Sequence, residues 1–461
     1  MAIDPAIFKS YDIRAIYPSQ LDEEGIYCVA HAIYQVISKK LGKEKLKIVL
    51  SRDMRVSSPS LSESVKKALL DCGAEILDIG LASTPTMYFS TYHLNADGGI
   101  QISASHNPKE YNGIKIVLSE GNGLIKVGKS TGMDDVKEIS LKSEPILKTQ
   151  GGKITEVKDI VLEEVKNSLK ISGNKKINNF KIVADAANSM GAVYLDELFK
   201  HIPGELIRMN FNLDGTFPSH QPDPLNFSTL VDLQKKVVEE KANIGFAPDG
   251  DGDRFFFIDE KGQVVPPSII TSLVAKELLK SNPGETILFD IRYILNPIKI
   301  IKENGGKYDI TKVGHAFITE KMHETGAIFA GESSSHFFYR DAGNGEAPMP
   351  VILTVLSVMT RESKKLSEIT EELRRSYESG ELNFEVTNAK EILELLKNKY
   401  SNGELSELDG IAITYSDWRF SARTSNTEPL LRLNVESLDK KTTEDKFNEV
   451  KEFINSIAKH D

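Results

Sequence analysis

Three loops in this chain carry residue types that could do chemistry. The first is Ser103-Ala104-Ser105-His106-Asn107-Pro108, a small-residue loop between two short apolar runs. A serine such as Ser105 becomes a nucleophile when a positioned base or a polarising metal activates it. His106 is its neighbour, but adjacent side chains on extended backbone point apart, so a Ser105–His106 pair is a poor expectation. Asn107 precedes Pro108 and is biased toward an extended conformation, which holds the loop open. The second loop is Pro248-Asp249-Gly250-Asp251-Gly252-Asp253-Arg254. Three alternate carboxylates can face one point if the chain curls, and the glycines permit tight turns. Such charges repel strongly unless a cation joins them, and oxygen-only ligands suit Mg²⁺ or Ca²⁺ better than zinc. An EF-hand also opens D-x-D-x-D, and Glu260 falls at the twelfth place. Arg254 at the glycine position and strand-like flanks argue against that reading. The third is Gly331-Glu332-Ser333-Ser334-Ser335-His336, a polar recognition loop in the same strand-loop-strand setting.

Further along, Arg423, Ser425, Asn426 and Thr427 form a dense donor set for a dianionic phosphate, with a guanidinium able to bind two oxygens. Tyr11-Asp12-Ile13-Arg14, Lys115 and His315 are weaker signals by themselves. Lys115 lies on the run after the serine loop, and His315 follows a strand end, where catalytic groups often sit.

These loops need a scaffold that repeats. Short β-rich runs alternate with amphipathic Lys/Glu-rich stretches, the pattern of α/β units. Strands are expected at 47–50, 75–79, 99–102 and 114–118, then at 181–184, 206–210, 242–247 and 255–259, then at 286–290, 308–313, 327–330 and 336–339. Each set opens on a strand with a polar or acidic end (KIVLSRD, KIVADAA, TILFDIR) and closes on a strand pair around one special loop. Residues 60–70 have helical spacing. The tail differs: a helix over 366–377, strands at 383–386, 410–414 and 430–435, and helices at 389–400 and 443–459. The expected fold is therefore three tandem, related α/β domains with mixed sheets, followed by a smaller α+β domain. The boundaries expected are 1–148 (serine loop), 149–258 (carboxylate loop), 259–372 (recognition loop) and 373–461 (phosphate loop).

Bulk properties narrow the class. The 461 residues carry a net charge of −10, which offers no basic face for nucleic acid. Cys28 and Cys72 form no CxxC pattern, so thiolate zinc sites and a disulfide framework are not expected and an intracellular, cytoplasmic setting fits. No signal peptide and no apolar run long enough to cross a membrane stand out.

Taken together, YDIR (Tyr11–Arg14), SASHNPKEYNGIK (Ser103–Lys115), PDGDGDR (Pro248–Arg254), VGHAFI (Val313–Ile318), GESSSH (Gly331–His336) and RTSNTEP (Arg423–Pro429) resemble the α-D-phosphohexomutase superfamily, closest to its bacterial phosphomannomutase/phosphoglucomutase branch. The resemblance runs essentially end to end and implies four domains around a central active-site cleft. It implies that Ser105 is a phosphoserine that donates and regains a phosphoryl group, with Ser105, Asp249, Asp251 and Asp253 as the ligands of one Mg²⁺ per chain. Arg14, His106, Lys115, Arg254 and His315 would serve the transfer, with Lys115 a general acid/base candidate. Glu332, Ser334 and His336 would contact sugar hydroxyls. Tyr11 and Arg292 would bind substrate, and Arg423, Ser425, Asn426 and Thr427 would hold the non-reacting phosphate. Hexose 1- and 6-phosphates of mannose and/or glucose would interconvert through a reorienting 1,6-bisphosphate, with glucose 1,6-bisphosphate or an equivalent as activator. The partners implied are small sugar phosphates, neither nucleic acid nor membrane, with the chain a monomer or dimer. A phosphoglucosamine mutase is the alternative within the superfamily. A sugar-phosphate- or calcium-binding protein on the same fold is the non-enzyme alternative. The chain departs from the family pattern at Ala15, where glycine is common, at Arg292, where many relatives have lysine, and at Ser333 and Ser335 in the sugar loop.

Overall fold

A computed structural model describes residues 3–121, 123–142, 149, 151–424 and 430–459. The chain forms two compact units, one from residues 1–265 and 334–369 and the other from 266–333 and 370–461.

The first unit contains two mixed sheets. In the larger, Gly98–Ile102, Lys47–Arg52, Glu75–Leu81 and Lys153–Glu156 run parallel in that spatial order. Tyr111–Glu120 then pairs antiparallel with Gly98–Ile102, and Ile13–Ile16 pairs antiparallel with Tyr111–Glu120 at the far edge. Lys47–Arg52, Glu75–Leu81 and Gly98–Ile102 read as largely apolar runs because helices cover both faces, whereas the edge strand Lys153–Glu156 is exposed. Glu23–Leu41 and Ser58–Asp71 pack on one face through Ile26, Val29, Ile33, Leu61, Val65 and Leu69. Thr84–His93 brings Met87, Tyr88 and Phe89 to the other face. The smaller sheet orders Phe255–Asp259, Ile244–Pro248, Lys181–Asp185 and Glu205–Met209, antiparallel only at its first pair. That pair contains an aromatic cluster: Phe246 lies opposite Phe257, their ring centroids 5.7 Å apart and edge to face. Edge-to-face packing of this kind fixes the register of the two strands, and with it the loop that joins them. A short ribbon, Phe337–Tyr339 with Gly345–Glu346, and the buried helix Pro348–Glu362 complete the unit.

The second unit has Thr286–Asp290 between the parallel strands Lys307–Thr311 and Phe329–Gly331. It continues into an antiparallel sheet of Tyr377–Glu378, Leu430–Ser437, Trp418–Thr424, Ile411–Thr414 and Glu404–Ser406, with Leu382–Glu385 also on Leu430–Ser437. The helices Ala389–Lys399 and Lys440–Ile457 cover its core of Phe420, Leu431, Leu433, Ile392 and Ile454. These are the α/β and α+β architectures expected from the alternating pattern. No helix among the described residues is long and apolar enough to cross a membrane.

Three local features differ from the expected set of elements. Ile13–Ile16 adds an edge strand that is not among those expected, and its pairing with Tyr111–Glu120 supplies hydrogen bonds that four residues could not supply alone. The helix expected over 366–377 ends at Leu373, and Tyr377 begins a strand paired with Ser437. Trp418–Thr424 is a strand between the two expected at 410–414 and 430–435; it alternates Trp418, Phe420 and Ala422 with Arg419, Ser421 and Arg423, and both sets are buried.

Gly113 sits opposite Arg14 in the edge pairing, and a Cβ there would lie 1.9 Å from the Ile13 carbonyl oxygen. Gly113→Ala is therefore expected to destabilise the protein by about 2–4 kcal/mol and to displace Arg14. Chemical denaturation checks it; an unchanged midpoint would contradict the close approach.

Candidate active site

Ser105 follows the strand Gly98–Ile102 and sits at φ +50°, in the left-handed region. A non-glycine residue stays there only if its surroundings over-determine it. Here they do. Arg55, fully buried, donates from Nη2 to the carbonyls of Ser105 (2.8 Å) and Asn107 (2.6 Å). Its Nη1 donates to those of Pro108 (2.8 Å) and Tyr111 (2.9 Å). Asp53 pairs with this guanidinium at 3.2 Å, and the Phe217 ring lies 5.0 Å from it. Gln221 donates to the His106 carbonyl at 2.9 Å. Gly250 approaches so closely that a Cβ would come within 2.2 Å of the Ser105 carbonyl oxygen.

The left-handed turn changes what the serine can reach. Its Oγ lies 3.2 Å from His106 Nδ1 and donates to Asp249 Oδ2 at 2.9 Å. The expectation that Ser105 and His106 point apart is thus wrong here, because it assumed extended backbone. Burial, then the cations Arg254, Arg14 and Lys115, push the His106 imidazole well below its ordinary range, so it is neutral near pH 7.

Asp249, Asp251 and Asp253 converge as the alternating spacing suggests: their carboxylate oxygens lie within 4.8 Å of one another, all buried. Lys115 projects from the strand Tyr111–Glu120 and places Nζ 2.5 Å from both Asp251 Oδ2 and Asp253 Oδ2. Thr84, at the start of its helix, donates its hydroxyl to Asp251 Oδ2 and its backbone N–H to the Asp251 carbonyl. Asp249 Oδ1 accepts from the backbone N–H groups of Gly252 and Arg254. His336 Nε2 lies 3.3 Å from Asp253 Oδ1. Burial, reinforced by repulsion from Asp253 and Asp251, drives the Asp249 carboxyl upward. Burial works the same way on Asp253, but Lys115 and His336 outweigh it and hold that carboxyl well below the usual range. Burial opposes the Lys115 charge, yet Asp251 and Asp253 prevail and raise its pKa.

Arg14 joins from the edge strand. It is held by Asp12 at 2.7 Å and donates to the Ala104 carbonyl and to Asn107 Oδ1. Arg254 bridges in β fashion to His336 and lies 3.6 Å from Asp223. Ser334 Oγ contacts His336 Nδ1 at 2.9 Å. Ser335, at φ +69°, meets a condition that favours glycine and offsets it by donating to the Phe255 carbonyl at 2.6 Å. Tyr11 is half-buried immediately before the edge strand. So Ser105, His106, Arg14, Lys115, Arg254, the three aspartates, Ser334 and His336 all belong to the first unit.

The second unit brings together Arg292, Glu332 and Arg423. Asp290 pairs with Arg292 through two bonds (2.9 and 3.1 Å) and also accepts the Ser333 N–H. Glu332 lies 3.5 Å from Arg292 and accepts the Gly314 N–H at 2.9 Å. His315 is half-buried at the first turn of the helix His315–Thr325. Arg423 is buried near the end of Trp418–Thr424 and pairs with Glu381 at 3.1 Å. Ser425, Asn426 and Thr427 lie outside the described residues.

Sequence reasoning missed Arg55, Thr84 and Gln221. Arg55 follows a predicted strand end in Ser51-Arg52-Asp53-Met54-Arg55, but its burial, which marks it out, is a tertiary property.

Four consecutive family descriptions cover the chain: phosphoglucomutase/phosphomannomutase alpha/beta/alpha domain I over residues 5–138, domain II over 161–262, domain III over 266–377, and the C-terminal domain over 381–453. The chain belongs to the phosphoglucomutase/phosphomannomutase family. It is 37% identical to a Methanocaldococcus jannaschii phosphomannomutase, covering 99% of each chain. It is 36% identical to a Vibrio cholerae phosphomannomutase over 93% of this chain and 94% of that one. A phosphoglucomutase/phosphomannomutase family protein from Burkholderia thailandensis has the same fold, with a TM-score of 0.87, 28% identity and 99% coverage of both chains. Proteins of this family are isomerases acting as phosphotransferases, and this chain is an enzyme of that class.

The buried aspartates fit the divalent cation expected for the family. Their donors are all oxygen, Ser105 Oγ reaches the same point, and Asp251 Oδ1 is buried without a hydrogen-bond partner. Because Asp249 is raised, a cation arriving near neutral pH should expel a proton from it. Mg²⁺ affinity is therefore expected to rise from pH 6 to 8, with close to one proton released at about pH 7. Calorimetry in buffers of different ionisation enthalpy measures this; no proton release would refute the charge balance.

Proposed function

We propose that this enzyme interconverts hexose 1-phosphates and hexose 6-phosphates, mannose and/or glucose, with Ser105 as the phosphoryl carrier. The observation that carries the reading is the buried Ser105 hydroxyl, 2.9 Å from Asp249 inside a triad of carboxylates already shared with Lys115. Phosphorylated Ser105 gives its phosphoryl group to a hexose monophosphate: the Ser105 O–P bond breaks, a sugar O–P bond forms, and the sugar hydroxyl loses its proton. The resulting 1,6-bisphosphate turns around, and Ser105 attacks the other phosphorus to regain a phosphoryl group and release the isomer. In that second half the serine proton has two acceptors within reach, Asp249 Oδ2 and the neutral His106 Nδ1 at 3.2 Å.

Phosphoryl transfer depends on in-line positioning and charge neutralisation. Arg14, Lys115 and Arg254 supply fixed positive charge in the same unit as Ser105, and Lys115, held protonated by its carboxylates, suits donation of a proton to a leaving oxygen. One Mg²⁺, held by Asp249, Asp251, Asp253 and a phosphoserine oxygen, would neutralise charge on the transferring group. A bisphosphate such as glucose 1,6-bisphosphate would restore phosphoserine lost to water. Sugar hydroxyls are assigned to Glu332, Ser334 and His336, with Tyr11, Arg292 and His315 as further contacts. The non-reacting phosphate is assigned to Arg423, Ser425, Asn426 and Thr427.

The test is mutase activity with Mg²⁺ and a trace of glucose 1,6-bisphosphate on mannose 1-phosphate, glucose 1-phosphate and glucosamine 6-phosphate. Turnover of the first two is expected, and turnover of the amino sugar alone would overturn the specificity. Ser105→Ala is expected to cost roughly 10⁴-fold or more in kcat with an unchanged melting temperature; near-normal turnover would sink the phosphoserine mechanism. Arg423→Ala is expected to raise KM roughly tenfold or more by removing charged phosphate contacts, and unchanged KM and kcat would refute its assignment.

A further inference from the structure

Arg423 and Arg432 lie directly opposite one another in the antiparallel pairing of Trp418–Thr424 with Leu430–Ser437. Like charges at such positions repel, so the arrangement needs an anion. Glu381, in the segment just before the strand Leu382–Glu385, supplies one. Its Oε2 lies 3.1 Å from Arg423 Nη2 and 3.8 Å from Arg292 Nη1, and its Oε1 lies 3.7 Å from Arg432 Nη1. Three guanidinium groups from three segments of one unit thus surround a single carboxylate. Arg292 has Asp290 and Glu332 as further partners. Arg423 is 3% exposed and pairs, among the described residues, with Glu381, while its Nε has no hydrogen-bond partner.

Among the described residues, Arg423 keeps donor capacity to spare: Glu381 engages one of its nitrogens, and its buried Nε bonds nothing. A dianionic phosphate presents more acceptor oxygens and more charge than a carboxylate and takes the planar fork of arginine bidentately as well. Glu381 retains about a quarter of its side-chain exposure and, among the described residues, makes one ion pair closer than 3.5 Å, so it is held loosely. We propose that Glu381 is an internal counter-ion occupying the phosphate seat of this arginine cluster, and that an incoming phosphate group must displace it. This rests on the assignment of Arg423 to phosphate binding. The arginines stay apart and oriented when no ligand is present, and displacement of Glu381 lowers the net affinity of the seat. Such levelling suits a site from which a bisphosphate must leave in order to turn around, because a clamp that binds every state equally tightly slows release.

Inorganic phosphate is the probe, titrated calorimetrically into the full-length protein without divalent cation. Glu381→Gln is expected to tighten phosphate binding roughly 3–10-fold, the range for loss of one partly exposed competing pair. The gain is expected to vanish in Glu381→Gln/Arg423→Ala, which separates this seat from any phosphate bound near Ser105. Glu381→Ala, read in the same titration, covers the case in which the glutamine itself hydrogen-bonds the arginines. Unchanged or weakened phosphate binding in both Glu381 variants, with Arg423→Ala still weakening it, would overturn the counter-ion role and leave the phosphate assignment standing. Phosphate binding indifferent to Arg423→Ala would remove both.

Discussion

Three carboxylates buried at one point are an unstable charge distribution, and much of the first unit exists to make it tolerable. Lys115 answers two of them directly at 2.5 Å. Thr84 contributes a hydroxyl and an N–H at the beginning of a helix, where donors are unsatisfied by the helix itself. His336 leans on Asp253, one of those two, from another segment. The pairing remains uneven, since among the described residues Asp249 has backbone donors and the Ser105 hydroxyl as its hydrogen-bond partners. That unevenness ties Ser105 to any cation that binds there: whatever settles the charge on Asp249 also changes the hydrogen bond that Ser105 makes.

The strands that aim these groups were legible in the sequence because a buried parallel strand is apolar throughout and ends in a polar turn. KIVLSRD, KIVADAA and TILFDIR all do so, and each marks a strand of the structure. The alternating aspartates were legible for the same kind of reason: spacing and residue type together restrict what can be buried without a cation. Trp418–Thr424 does carry the period-2 signal, with Trp418, Phe420 and Ala422 alternating with Arg419, Ser421 and Arg423, but its polar set is buried too, so that face reads as solvent-facing when it is not. The helix predicted through Tyr377 overran because propensity cannot register that Ser437 waits as a sheet partner.

Contacts that depend on unusual backbone were out of reach in another way. The rule that neighbouring side chains diverge holds for extended chain, and Ser105 escapes it through a positive φ that nothing in Ser-His-Asn-Pro announces. What forces that φ lies elsewhere in the chain: a guanidinium from Arg55, an amide from Gln221 and the bare Cα of Gly250. Function here rests on local conformation imposed by distant residues, and a motif records only the part that is imposed upon.

Arg55 meets the serine loop solely through carbonyl oxygens, those of Ser105, Asn107, Pro108 and Tyr111. It therefore grips the path of the chain and is indifferent to what the chain displays. Side chains along the loop can be exchanged without loosening that grip, whereas the arginine can be exchanged for very little. The clamp separates the shape of the loop from its chemistry, so selection can revise the groups around Ser105 while the turn that presents it stays the same.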